Sequence, residues 1–299
     1  MPASLSSAGR QTLRGVGWMV LTGLLFVAVT AIVRHLGTSM PAIEAAFIRY
    51  AVGLLIVLPV LFRLIRRRPK VGMMRLYLVR GLIHGGYIIL WFYAMARIPI
   101  AEVTALGYLA PIFVAVGAAL FLGEQLHFRR IAAVLAGFVG MLVIVRPGFV
   151  EISLGQMAMI VGAPFIAASL LLGKRLSRDE DPSMIVAMLS LFVTLTLLPG
   201  TILQWRTPTI DEFLLLSLTA AVATAGHYCL TKALQAAPIT VTQPISFLQL
   251  VWASFVGLAL FGEALDPYIF MGGAIIICAA TYIAHRESVA ARSGSADSS

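Results

Sequence analysis

Few side chains in this sequence can do chemistry, and most of those lie inside apolar runs. His84 and His227 are the only histidines deep within such runs; His35, His127 and His285 sit at their ends. Arg80, His84, Tyr87 and Trp91 follow one another at spacings of 4, 3 and 4, which sets them on one face of a helix. That face is too polar for lipid and is read as lining an interior path. Tyr87 and Trp91 would offer rings to a side chain or a cation. Thr224, His227 and Thr231 share a face in the same way. Arg49 also lies within an apolar run, where a charge costs about 2.5–3.5 kcal/mol on insertion scales. It must face a cavity, pair with a carboxylate or pin two helices together. A second polar group surrounds internal prolines. Glu102, Thr104, Gly107 and Tyr108 precede Pro111, while Thr240, Thr242, Gln243, Ser246 and Gln249 surround Pro244. Each proline frees the carbonyl four residues earlier, on Gly107 and Thr240. At membrane depth such a carbonyl persists only where protein or a water-filled cavity satisfies it. The candidate substrate-binding residues are Arg49, His84, Tyr87, Trp91, Tyr108, His227, Gln243 and Gln249.

Plainer roles exist for each. Arg80 could snorkel to the inner surface, Trp91 could anchor the outer interface, and the prolines could bend helices for packing alone. A histidine titrates near pH 6.5, so proton coupling through His84 or His227 is conceivable, as is a hydrogen-bonded structural role. Glu44 and Glu102 lie close to helix ends and are expected to be solvated.

Other chemistries lack their motifs. There is no G-x-x-x-x-G-K-[ST], so no ATP-driven motor, and no H-E-x-x-H, Cys-x-x-Cys or G-x-S-x-G. No cofactor or metal is expected. Cys229 and Cys278 sit inside apolar runs and read as small packing residues.

The elements that must position these residues are membrane-spanning helices. Of the 299 residues 60% are hydrophobic and 12% charged, with a mean hydropathy of +0.95; a soluble domain carries about 25% charged residues. A crossing needs roughly 20 apolar residues, and ten fit: 15–33, 42–62, 76–96, 99–122, 130–145, 154–172, 182–203, 212–233, 238–261 and 267–284. Pro99, Pro182, Pro238 and Pro267 suit first helical turns. Asp266 suits an N-cap, and Gly123 and Gly262 suit helix ends. Glu124 and Glu263 are expected to serve the positive N-terminus of the helix that follows each. The first span is read as a retained helix and not a cleaved leader.

The net charge of +9 is explained by loops and not by nucleic acid. With the N-terminus inside, 16 Lys and Arg fall on the inner side, 4 on the outer side and 2 within spans. This bias puts both termini in the cytoplasm. The expected organisation is a cytoplasmic tail (1–14), a five-helix unit (15–147), a second five-helix unit (148–286) and a disordered polar tail (287–299).

The two units are related. Ala94–Leu126 and Ala233–Leu265 both open on Pro-Ile and close on Gly-Glu-x-Leu, at an offset of 139 residues. Five crossings per unit is odd, so the second unit enters the membrane from the opposite side: an inverted repeat. On these residues the chain resembles the drug/metabolite transporter superfamily, in its ten-span EamA-type branch, with bacterial amino-acid exporters of the YddG type as the nearest likeness. The resemblance covers nearly the whole chain. It implies an all-α membrane protein of two inverted five-helix repeats in the bacterial inner membrane, a monomer or weak dimer. It also implies secondary export of amino acids or related small metabolites by alternating access through a central cavity. The alternatives are an exporter of lipophilic cations, which would want a carboxylate in the path, a membrane-embedded enzyme, and a passive channel.

Overall fold

A chain this apolar must satisfy its backbone within each segment, because lipid offers no partner for an exposed N–H or C=O. The described residues are accordingly helical. The computed structural model describes residues 7–65, 71–122, 128–176, 179–180, 182–236, 245–246 and 248–296. Among them run α1 (Ser7–Leu36), α2 (Ala42–Ile65), α3 (Val71–Met95), α4 (Ile100–Gly107), α5 (Ala110–Leu122) and α6 (Phe128–Val145). The second half holds α7 (Leu154–Leu176), α8 (Pro182–Leu203), α9 (Ile210–Ala236), α10 (Leu248–Phe261) and α11 (Pro267–Ala296). Six of these, α1–α3 and α7–α9, are long and apolar enough to cross a membrane; the apolar stretches 100–114, 131–145, 248–261 and 267–279 are shorter. Large apolar side chains also cover the outside, such as Leu55, Leu135, Phe255 and Leu260. The protein is a multi-pass membrane protein.

The expected fourth span is two helices. Pro111 cannot donate to Gly107, and the chain turns at Tyr108 and Leu109 before α5 begins. Around the break Leu106, Leu109 and Ile112 are inaccessible to solvent, while Gly107, Tyr108 and Pro111 are half-buried. In the second half, Pro238, Thr240, Thr242, Gln243 and Pro244 lie outside the described residues. α11 continues past its expected end through residues 287–296, a stretch with several helix formers.

The main helix contacts are α1 with α9, α3 with α7, α2 with α8, and α6 with α11. Exchanging the halves, so that α1, α2, α3 and α6 become α7, α8, α9 and α11, maps this set onto itself. At the α6–α11 crossing, a Cβ on Gly140 would meet the Gly272 carbonyl at 2.7 Å, so only glycine allows the two backbones this close. Polar bonds tie together the α1–α2, α6–α7, α8–α9 and α10–α11 connections and the start of α4 at one end of the bundle.

Candidate functional site

Five of the eight candidate substrate-binding residues, with Arg80, converge within the bundle. α2 supplies Arg49 and Tyr50, α3 supplies Arg80, His84, Tyr87 and Trp91, α7 supplies Ser169, and α9 supplies His227. His84 is held on both ring nitrogens: Nε2 lies 3.1 Å from Tyr50 Oη and Nδ1 lies 2.9 Å from Ser169 Oγ. Arg80 Nε donates to the Ser169 carbonyl at 3.1 Å. The Tyr87 ring sits 5.9 Å from His84 and stacks on Trp91 at 6.1 Å with 14° between planes. His227 meets Phe26 of α1 edge to face at 5.2 Å. One side of this constellation is therefore aromatic and the other hydrogen-bonding, an arrangement that suits a small ligand with a flat part and a polar part.

α7 makes room for this cluster with a stripe of small residues. Gly162 faces the Tyr87 ring and Gly173 faces the Arg80 guanidinium, where a Cβ would lie 3.0 Å from Nη2. Ser169 belongs to the same stripe. Tyr50 and Ser169 are the functional candidates that sequence reasoning missed. The spacing Gly162, Ser169, Gly173 is the one signal that could have pointed to Ser169.

Arg49 is 8% exposed, and its guanidinium lies 4.0 Å from the centroid of the neighbouring Tyr50 ring. Its Nε and the Nη1 of Arg80 have no hydrogen-bond acceptor among the described residues. Neither arginine forms an ion pair among the described residues.

Two further candidates have contacts of their own. Tyr108, in the break between α4 and α5, donates its hydroxyl to the Ser246 carbonyl at 3.3 Å and so bridges the halves. Gln249 packs on Gly23 of α1. Gln243 lies outside the described residues.

A second polar region closes one end of the bundle, and its bonds join residues of the first half to residues of the second. Arg34 pairs with Glu263 at 3.0 Å, and Glu263 also accepts the Ile100 N–H at 2.9 Å. Arg146 pairs with Asp266 and lies over the Tyr268 ring. Gln156 donates to Glu102, the Arg206 backbone N–H to Glu44, and Ser39 to Glu212. Three expectations are corrected here. Glu263 serves the N-terminus of α4 across the halves and not that of the helix after it, because Asp266 already caps α11 through the Tyr268 N–H. Glu44 and Glu102 are buried, at 0% and 6% exposure, because partners from the other half cover them. Gly262 does end its helix in the left-handed conformation, at φ +63°. Gly123 and Glu124 lie outside the described residues.

A bundle of apolar helices in two related halves, with polar groups at its centre and cross-half bonds at one end, is the architecture of a membrane transporter. The model of the EamA-like transporter family matches the chain twice, over residues 13–146 and 153–284. The chain belongs to that family, which places it among the transporters of the drug/metabolite transporter superfamily. It is 31% identical to a riboflavin transporter of Rhizobium johnstonii over 291 residues, covering 95% of each chain. It is 28% identical to the pseudopaline exporter CntI of Pseudomonas aeruginosa, covering 89% of this chain and 94% of that one. It is 24% identical to an S-adenosylmethionine uptake transporter of Rickettsia bellii, covering 92% and 95%. A solved crystal structure superposes with a TM-score of 0.58 at 19% identity, covering 93% of this chain and 98% of that one, a likeness of fold alone.

Proposed function

We propose that this chain is a secondary transporter of the bacterial inner membrane, with ten spans in two inverted halves and both termini in the cytoplasm. Its cargo is a small metabolite that combines a planar ring with polar groups, a class that includes aromatic amino acids and flavins. The cargo binds at the centre of the bundle, and the halves rock about it to expose it to one side at a time. The observation that carries this reading is the Tyr87–Trp91 stack beside the doubly held His84, midway between the ends. The mix of cargo in the relatives' names supports small-molecule transport, and those names include both uptake and export.

The rival reading, export of lipophilic cations, wants a carboxylate in the path. Glu44 and Glu102 are engaged at the closed end by Arg206 and Gln156, which weighs against it.

The test is counterflow in proteoliposomes with labelled riboflavin, tryptophan and phenylalanine. At least one is expected to exchange. Trp91→Ala is expected to weaken its apparent affinity up to about tenfold, the scale of one lost aromatic pair. If none of the three exchanges in a preparation shown to be folded, the reading of the cargo is wrong.

A further inference from the structure

The centre of the bundle holds basic groups and, among the described residues, no carboxylate. Among the described residues every Asp and Glu lies in a first helical turn, in a connection, or in the extension of α11 beyond its apolar stretch. None reaches the middle of a helix pair. The basic groups that do are Arg49, Arg80, His84 and His227, each within electrostatic reach of others in the set. An arginine keeps its proton in any protein environment, so at least two full positive charges sit at this depth. Buried charges are normally paired. Among the described residues, Arg49 lies against the Tyr50 ring and Arg80 against the Ser169 carbonyl and the tyrosines Tyr50 and Tyr77, and none of these is a carboxylate.

Both guanidiniums also keep a donor without an acceptor among the described residues, Nε of Arg49 and Nη1 of Arg80. Arg49 is 8% exposed, and both of these donor atoms are shielded from solvent. The two arginines are linked through Tyr50, His84 and Ser169, and the Tyr87–Trp91 stack adjoins His84. Charge, open donors and ring surface therefore meet in one place.

We infer that the cargo is an organic anion whose carboxylate or phosphate docks on Arg49 and Arg80 while its planar part lies against Tyr87 and Trp91. The inference rests on the transport reading above and narrows its substrate class. Guanidinium donors suit both oxyanions, because each presents two oxygens to a planar fork. The same arrangement repels cations, so it sorts cargo by sign as well as by shape.

The test uses full-length protein in phosphatidylcholine nanodiscs, titrated calorimetrically with two matched pairs. Riboflavin is compared with riboflavin 5′-phosphate, and N-acetyltryptophanamide with N-acetyltryptophan. The members of each pair differ by a phosphate or a carboxylate and share a ring. The charged member is expected to bind at least about tenfold more tightly in one pair or both. Arg49→Gln is expected to remove most of that preference, and Arg49→Lys to retain much of it. The wild-type comparison stands even if Arg49→Gln does not fold. Equal binding within both pairs overturns the inference and leaves the transport reading intact, as does counterflow of a neutral ring compound without tighter binding of its anion. Tight binding of the charged members with no counterflow of any of the four keeps the anion site and overturns the transport reading.

Discussion

At the scale of single residues, His84 is the hinge of the site. Its two nitrogens join α2 to α7 through Tyr50 and Ser169, so the ring is fixed in one orientation beside the Tyr87–Trp91 stack. Ser169→Ala would leave Nδ1 of His84 without its partner in a buried setting. A loss of about 1–3 kcal/mol in stability is expected, read as a lower melting temperature in nanodiscs; an unchanged melting temperature would show that this bond contributes nothing. The α3 face was legible in the sequence, because spacings of 4, 3 and 4 report a helix face without any tertiary information. Tyr50 and Ser169 were not legible. Their roles depend on which helices border α3, and a lone tyrosine or serine carries no periodic signal.

At the scale of elements, glycine sets how closely the helices approach. Gly272→Leu would drive a side chain into α6 at Gly140 and Ile144. A destabilisation of about 1–3 kcal/mol is expected from overpacking, whereas Leu135→Ala, on the exposed outer face of α6, is expected to change stability by less than about 0.5 kcal/mol. Thermal melts of the two variants side by side check this, and equal melting temperatures would contradict it. The break between α4 and α5 was legible from Pro111, since the missing N–H acts locally. The service of Glu263 was not. A sequence shows the nearest helix start, at Pro267, while the fold brings the N-terminus of α4 within 2.9 Å from 163 residues away. The burial of Glu44 and Glu102 escaped notice for the same reason: both lie near helix ends, and the partners that cover them come from the other half. A double-mutant cycle on Arg34→Gln and Glu263→Gln is expected to show a coupling of at least about 0.5 kcal/mol in melting experiments; additive effects would mean that the pair adds no stability of its own.

At the scale of the molecule, duplication organises everything. The repeated Pro-Ile and Gly-Glu-x-Leu ends announced two related units, and the helix contacts are those that an exchange of the halves preserves. The substrate was not legible at this scale, because related units specify a frame and a repeated pattern carries no mark of one cargo. The cross-half bonds at one end give that frame a closed side, and transport by alternating access requires that they open in each cycle. The most direct test is to stop them from opening. Cys229 and Cys278 are first replaced by alanine, then Arg34→Cys and Glu263→Cys are introduced and joined by a short bis-methanethiosulfonate linker. Counterflow in proteoliposomes is expected to cease on cross-linking and to return when the linker is reduced. Full counterflow from quantitatively cross-linked protein would contradict alternating access at this end of the bundle.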